Sequence, residues 1–232
     1  MSKLSDNPIT KPLQQVQNRI HAALAQCGRA PEAVQLLAVS KKKPANALRN
    51  AYACGQRAFG ENYLQEALEK QRELQSLDIE WHFIGPIQSN KTRAIAENFD
   101  WVHSVDREKV ARRLSQQRPT GLPPLNLCIQ INLDDEASKS GISLEELPTM
   151  LESLAQLPNI CVRGLMAIPA KRDDFSSQLS ALQPLARAFE EQRSHYPQLD
   201  TLSMGMSADL EAAISAGATC VRIGTDIFGT RD

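Results

Sequence analysis

No segment of the chain approaches the run of about 18 apolar residues that a membrane span requires, and the polar stretch from Met1 to Lys11 has no apolar leader core. The sequence therefore predicts a cytoplasmic protein with no membrane partner. Charge of one sign is lacking as well. The 26 Lys and Arg are matched by 27 Asp and Glu, and a net charge of -1 gives no global electrostatic reason to expect nucleic acid. Cys27, Cys54, Cys128, Cys161 and Cys220 are odd in number, widely spaced and never arranged as C-x-x-C, so the sequence predicts reduced thiols, with neither a disulfide framework nor a zinc site. The acidic loop Asp134 to Gly141 lacks the ligand spacing of an EF-hand, and no metal is expected there. Repeats, low-complexity tracts and Pro/Gly-rich boundaries are missing too. One domain over residues 10–232, behind a flexible tail of residues 1–9, is the simplest division.

What is present is a chain of 232 residues, 42% hydrophobic and 23% charged, with apolar material for a sizeable core. Val16, Ile20, Ala23 and Leu24 recur at helical spacing and predict an amphipathic helix over residues 10–26. Eight apolar runs follow: Leu36-Lys41, Ala58-Asn62, Trp81-Pro86, Trp101-Val105, Asn126-Asn132, Val162-Ile168, Thr201-Met206 and Cys220-Thr225. Between them, sets such as Leu48, Ala51 and Tyr52, or Leu179, Leu182, Leu185 and Phe189, keep the helical period. Ser143 with Glu146 reads as a capping box ahead of Leu147, and Gly55 and Gly217 stand where helix C-termini belong. Continuous apolar runs imply strands covered on both faces, and helical crossovers imply a parallel sheet. Eight such units, with no Gly-rich dinucleotide loop after the first, favour a closed (β/α)8 TIM-type barrel over an open doubly wound sheet. Seven residues remain after Thr225, so no helix is expected beyond the eighth strand, and the N-terminal helix is expected to cover that gap.

In such barrels the working residues lie at the C-terminal ends of the strands. Lys41, Asn62, His82, Asn132, Ser207, Arg222 and Thr225 collect there in this sequence. A lysine at the barrel mouth is partly desolvated, which lowers its pKa and frees its amine to attack an aldehyde and form a Schiff base. Beside Lys42 and Lys43, Lys41 can equally be a solvent-facing residue. The motifs Met204-Gly-Met-Ser-Ala-Asp209 and Arg222-Ile-Gly-Thr-Asp226 follow strands seven and eight, the usual phosphate site of these barrels. Ser207 there is either a helix N-cap or an anion ligand, and Gly224 with Thr225 favours the second role. Arg222 shares the inward face of Gly224; it pairs either with an interior carboxylate or with a ring-nitrogen acceptor. His82, a lone histidine in an apolar strand, is read as structural support, and Ser89 as an N-cap. Lys139, on the acidic loop, is a candidate second amine for transferring an aldehyde.

Taken in order, Ala38-Val-Ser-Lys41, Phe59-Gly-Glu-Asn62, Trp81-His-Phe-Ile-Gly85, Gln88-Ser-Asn-Lys91, Gly164-Leu-Met166, Leu202-Ser-Met-Gly-Met-Ser207 and Val221-Arg-Ile-Gly-Thr225 resemble the pyridoxal phosphate homeostasis proteins, the YggS/PROSC-like group. The resemblance spans residues 12 to 231. It implies a barrel like the N-terminal domain of alanine racemase that holds pyridoxal 5'-phosphate (PLP) on Lys41. It further implies that Ser207, Gly224 and Thr225 bind the phosphate, that Arg222 meets the pyridine nitrogen, and that Asn62 and Met204 lie in pocket motifs. Lys42 and Asp226 depart from the family pattern. The function implied is cytoplasmic PLP homeostasis by a monomer that supplies apo-enzymes, with no catalytic residue. The competing reading is an amino-acid racemase. Two-base racemisation needs a second acid/base, which alanine racemases take from a tyrosine on an added C-terminal β-domain. No such domain is expected here. Of Tyr52, Tyr63 and Tyr196 only Tyr63 lies near the mouth, which leaves room for a weak racemase-like side activity.

Overall fold

Strands that are apolar on both faces fold stably only when helices cover one face and other strands' side chains cover the second. The computed structural model, which describes residues 7–134 and 140–230, meets that demand with a closed barrel. Its strands are β1 (Gln35–Val39), β2 (Ala58–Glu61), β3 (Glu80–Phe83), β4 (Trp101–Val105), β5 (Leu125–Ile131), β6 (Ile160–Ala167), β7 (Thr201–Ser203) and β8 (Cys220–Ile223). Each pairs in parallel with the next in sequence, and β8 returns to β1 through the register Leu37 to Arg222. The crossovers are α2 (Ala45–Ala53), α3 (Leu64–Glu73), α4 (Thr92–Asn98), α5 (Glu108–Gln117), α6 (Leu147–Ala155), α7 (Phe175–Arg193) and α8 (Leu210–Ser215). The expected (β/α)8 TIM-type barrel is the observed one.

Helix α1 (Thr10–Gln26) turns Leu13, Val16, Ile20, Ala23 and Leu24 inward and lies across the β8 end of the ring. Arg29, just beyond it, fastens that arrangement by donating to the carbonyls of Ile214 and Ala218, both at 2.8 Å. The gap after β8 is thus covered by α1, as expected. One expectation is overturned: a single-turn helix, α9 (Thr225–Phe228), does follow β8. Four residues are too few to show a periodic pattern, which is why composition gave no sign of it. Ahead of α1, Asn7 donates to the Asn50 carbonyl at 2.8 Å and Ile9 is buried.

The local signals behave as their chemistry requires. Ser143 N–H donates to Glu146 Oε2 at 2.8 Å and Glu146 N–H to Ser143 Oγ at 3.2 Å, a reciprocal capping box immediately before α6. Several apolar runs outlast their strands. Ladder pairing ends at Val39, Phe83 and Ser203, so Lys41, Ile84 to Pro86, and Met204 to Met206 belong to loops at the mouth.

Because side chains alternate across a strand, only every second residue faces the barrel axis. Two small apolar clusters stand apart from the main core between sheet and helices: Leu37, Ala58 and Cys220, and Trp101, Cys128 and Met166. Sharing the interior with them are four buried polar residues, His82, His103, Ser203 and Arg222.

Candidate functional site at the barrel mouth

The loop that presents Lys41 is pinned on both sides. Ser40 is fully buried; its N–H donates to Gly60 O at 3.0 Å and its hydroxyl to Glu61 Oε1 at 2.6 Å. Lys42 adopts φ 61°, an uncommon conformation for a side-chain-bearing residue, and its N–H donates to Glu66 Oε1 at 2.6 Å. Lys70 joins these anchors: its ammonium reaches Ser40 O at 2.8 Å, Glu61 Oε1 at 2.7 Å and Glu66 Oε1 at 2.5 Å. Both Lys70 and Glu61 are buried. Burial pushes the Glu61 carboxyl above its ordinary value, while Lys70 pulls it back down. Sequence reasoning missed Lys70, although the signal was available: it occupies the inward stripe of α3 between Ala67 and Leu74, where a charged residue has to find a buried partner.

On the far side of the mouth, Arg222 is almost wholly buried in the middle of β8. Its Nη1 donates to Ser203 O at 2.7 Å and Ser203 Oγ at 2.8 Å, and its Nη2 to Ala167 O at 2.9 Å. Among the described residues no carboxylate lies within ion-pair distance of it. Of the two readings left open by the sequence, the interior Arg-carboxylate pair is not found among the described residues. Burial lowers the Arg222 pKa from its ordinary value, yet a guanidinium keeps its charge at any physiological pH.

The loops after β7 and β8 stand next to each other. Gly205 takes φ 96°, and a Cβ there would lie 2.5 Å from the Cβ of Ala213, so only glycine lets this loop settle on α8. Ser207 does not cap α8 as the sequence suggested. The N-cap position is Asp209, whose carboxylate makes no capping bond and instead accepts from Met206 N–H at 2.7 Å. Ser89 likewise is no N-cap; α4 begins at Thr92, whose hydroxyl donates to the Ser89 carbonyl at 3.0 Å. The two late loops are tied together from outside by Arg19 on α1. Its guanidinium donates to Glu211 Oε1 at 2.8 Å, Asp226 Oδ2 at 2.7 Å and the Ser207 carbonyl at 2.9 Å. Asp226 thus has a structural partner that sequence reasoning did not foresee.

Lys41, Asn62, Ser207, Arg222, Gly224 and Thr225 all line one cavity of about 250 Å³. Val39, Ile84, Ile168, Met206 and Ala208 supply its apolar wall. Asn62 is held at the rim by a close approach. A Cβ on Gly85 would fall 2.0 Å from the Asn62 carbonyl oxygen, so glycine alone permits it. The side-chain Oδ1 of Asn62 is buried and has no hydrogen-bond partner. A neighbouring cavity of about 320 Å³ shares Asn62, Ile84 and Ile168 and extends the cleft to Asn132. Met204 is fully buried and does not face the cavity; its N–H donates to Cys220 O at 3.1 Å. His82 lies in the barrel interior, not at the mouth, where its ring hydrogen-bonds Glu80 and His103. Lys139 falls outside the described residues.

The family model described as alanine racemase, N-terminal domain, matches residues 13–232. A pyridoxal phosphate homeostasis protein of Pseudomonas aeruginosa is 58% identical over 232 residues, covering 100% of this chain and 97% of that one. The solved structure of PipY from Synechococcus elongatus with PLP bound is 41% identical, with a TM-score of 0.78 over 90% of this chain and 100% of PipY. Alanine racemase from Corynebacterium glutamicum shares the fold, with a TM-score of 0.67 at 20% identity; 94% of this chain is covered but only 61% of the racemase.

Proposed function

The chain belongs to the pyridoxal phosphate homeostasis proteins, within the alanine racemase N-terminal domain family, and from that premise we propose that it binds PLP at the barrel mouth, holds it, and supplies it to PLP-dependent apo-enzymes. When bound, the cofactor supplies an aldehyde for a primary amine, an acceptor nitrogen in the ring and an anionic phosphate. In this reading Lys41 holds the aldehyde end, while Ser207, Gly224 and Thr225 hold the phosphate with their hydroxyls and backbone. Arg222 meets the ring nitrogen and Asn62 the ring's polar edge. Met204 contributes by packing beneath the β7 loop.

The observation that carries the proposal is Arg222. A buried guanidinium with no carboxylate at ion-pair distance among the described residues, bordering a cavity, calls for a ligand that accepts a hydrogen bond. The orphaned Asn62 Oδ1 on the same wall supports a polar occupant. A permanent cation beside the ring disfavours protonation of its nitrogen, which suits holding the cofactor more than using it as an electron sink.

The racemase alternative requires an acid/base opposite Lys41. Tyr63 is the candidate near the mouth, and it is exposed at the start of α3, away from the enclosed wall. All five cysteines are free thiols, which supports a cytoplasmic setting, and we take the working form to be a monomer. The test is reactivation of a PLP-dependent apo-enzyme by the loaded protein, run beside an assay for D-alanine production from L-alanine. Reactivation without sustained racemisation is expected; sustained D-alanine production would reverse the assignment.

A further inference from the structure

A TIM-type barrel is ordinarily filled with branched apolar side chains. Here the axis carries an unbroken hydrogen-bonded line instead, from the mouth to the opposite end. Arg222 Nη1 lies 2.8 Å from Ser203 Oγ, and Ser203 Oγ lies 2.9 Å from His103 Nδ1. His103 Nε2 is 2.8 Å from His82 Nδ1, and His82 Nε2 is 2.6 Å from Glu80 Oε1. Arg222, Ser203, His103 and His82 are buried. Glu80, the first residue of β3, has a side chain 39% exposed at the N-terminal end of the barrel.

Chemistry decides which way each bond runs. A guanidinium can only donate and a carboxylate can only accept. With both ends fixed and both rings neutral, every bond between them points the same way: Arg222 donates to Ser203, whose hydroxyl donates to His103 Nδ1. His103 Nε2–H then donates to His82 Nδ1, and His82 Nε2–H to Glu80. Each ring then carries its one proton on Nε2. The charged groups at the two ends agree with this order. Glu80 is held below the ordinary carboxylate range, first by the His82 hydrogen bond, with further donors in Gln35 and the Trp101 indole. Burial, with the Arg222 charge nearby, holds His103 well below its ordinary value, so its ring stays neutral. Among the described residues, the other titratable groups acting on the line are the thiols of Cys128 on β5 and Cys220 on β8 and, from beyond ion-pair distance of Arg222, the Asp209 carboxylate. Burial raises both thiols, Cys220 to about 11, so they remain protonated, and in this order the Cys220 thiol, in contact with Ser203, can serve that hydroxyl only as a donor.

We propose that His103 is a positioning residue for Arg222. By accepting the Ser203 proton it turns that hydroxyl's lone pairs toward the guanidinium, and Glu80 imposes the histidine tautomers that make this possible from the far end of the barrel. The state of the mouth is thereby set through the barrel floor, by a residue that never touches the ligand. Without the acceptor nitrogen of His103, the Ser203 hydrogen is free to point at Arg222 and displace it. The consequence at the cofactor ring rests on the PLP-binding reading given above; the line itself does not.

Imidazole nitrogen NMR on unloaded protein tests the line directly. Both His82 and His103 should be neutral and protonated on Nε2 near neutral pH, and a proton on His103 Nδ1 would overturn the proposal. The coupling is tested with His103→Leu, which keeps bulk but no polar atom, and His103→Gln, whose amide offers both an acceptor and a donor. On loading with PLP, His103→Leu should move the pH midpoint of the visible band and release the cofactor about tenfold faster, the loss expected for one charge-assisted hydrogen bond. His103→Gln should restore wild-type behaviour. A role in packing alone predicts that Leu serves as well as histidine, and a wild-type spectrum and release rate for His103→Leu would refute the coupling. Should wild-type protein give no visible band with PLP, the reading of the site fails, while the imidazole tautomers still judge the line.

Discussion

Lys70→Met isolates the buried ion pair behind Lys41. The substitution keeps the length of the side chain and removes the ammonium that serves Ser40, Glu61 and Glu66. Glu61 is left fully buried with one oxygen supported only by the Ser40 hydroxyl and the other already without a partner. Removing one member of a buried pair typically destabilises by about 3–5 kcal/mol. Here an upper limit follows from protonation, because Glu61 can escape its charge by taking up a proton, which for an ordinary glutamate at pH 7 costs about 3.7 kcal/mol. A loss of about 3 kcal/mol near neutral pH is therefore predicted, a large part of the stability of an ordinary domain.

The pH dependence carries a definite sign. Burial already raises Glu61 above its ordinary value, and loss of Lys70 raises it further. A raised carboxyl holds its proton more tightly in the folded chain than in the unfolded one. Stability is then greatest in acid and falls as pH climbs from the ordinary glutamate value through the raised one. Urea denaturation followed by circular dichroism, at mildly acidic and at neutral pH, measures the difference. The gap between Lys70→Met and wild type should widen toward neutral pH, and adding Glu61→Gln should recover about 2 kcal/mol by removing the unpaired charge. A loss below about 1 kcal/mol, or one independent of pH, would refute the claim that Lys70 neutralises Glu61.

Arg19→Ala should lower stability by only about 1 kcal/mol, because its partners Glu211 and Asp226 are partly exposed. It should weaken binding of PLP more than binding of pyridoxal, which has no phosphate, since it releases both late loops; equal losses measured by fluorescence titration would contradict this. Gly205→Ala places a Cβ 2.5 Å from Ala213 Cβ at φ 96°, and thermal melting should show destabilisation of about 2 kcal/mol or more. A melting temperature equal to that of wild type would remove the steric argument for that loop.

The barrel was legible because its strands are short apolar runs set off by helical stripes, and because Ser143, Glu146, Gly55 and Gly217 carry their own local chemistry. The cavity residues were legible for a related reason: barrel topology sends every strand's C-terminal end to one mouth, so Lys41, Asn62, Ser207, Arg222, Gly224 and Thr225 had to meet there. Contacts that depend on register between distant strands were not. Nothing near Ser203 or His103 in sequence announces that β4 and β7 face each other across the axis and bring the two within 2.9 Å. Arg19 was hidden likewise, since its three partners lie 188 to 207 positions away. Ser207 misled as a cap because α8 starts at Leu210, behind Asp209, whose carboxylate is turned back to Met206 N–H and does not cap the helix.

Borohydride reduction of the PLP-loaded protein, followed by mass mapping of the modified peptide, tests the central claim most directly, because it asks which amine the cavity presents to an aldehyde. The account predicts a single pyridoxyl-phosphate adduct on Lys41, lost together with the visible absorption in Lys41→Ala. An adduct confined to Lys42, Lys43 or Lys139, with Lys41 unmodified, would contradict it.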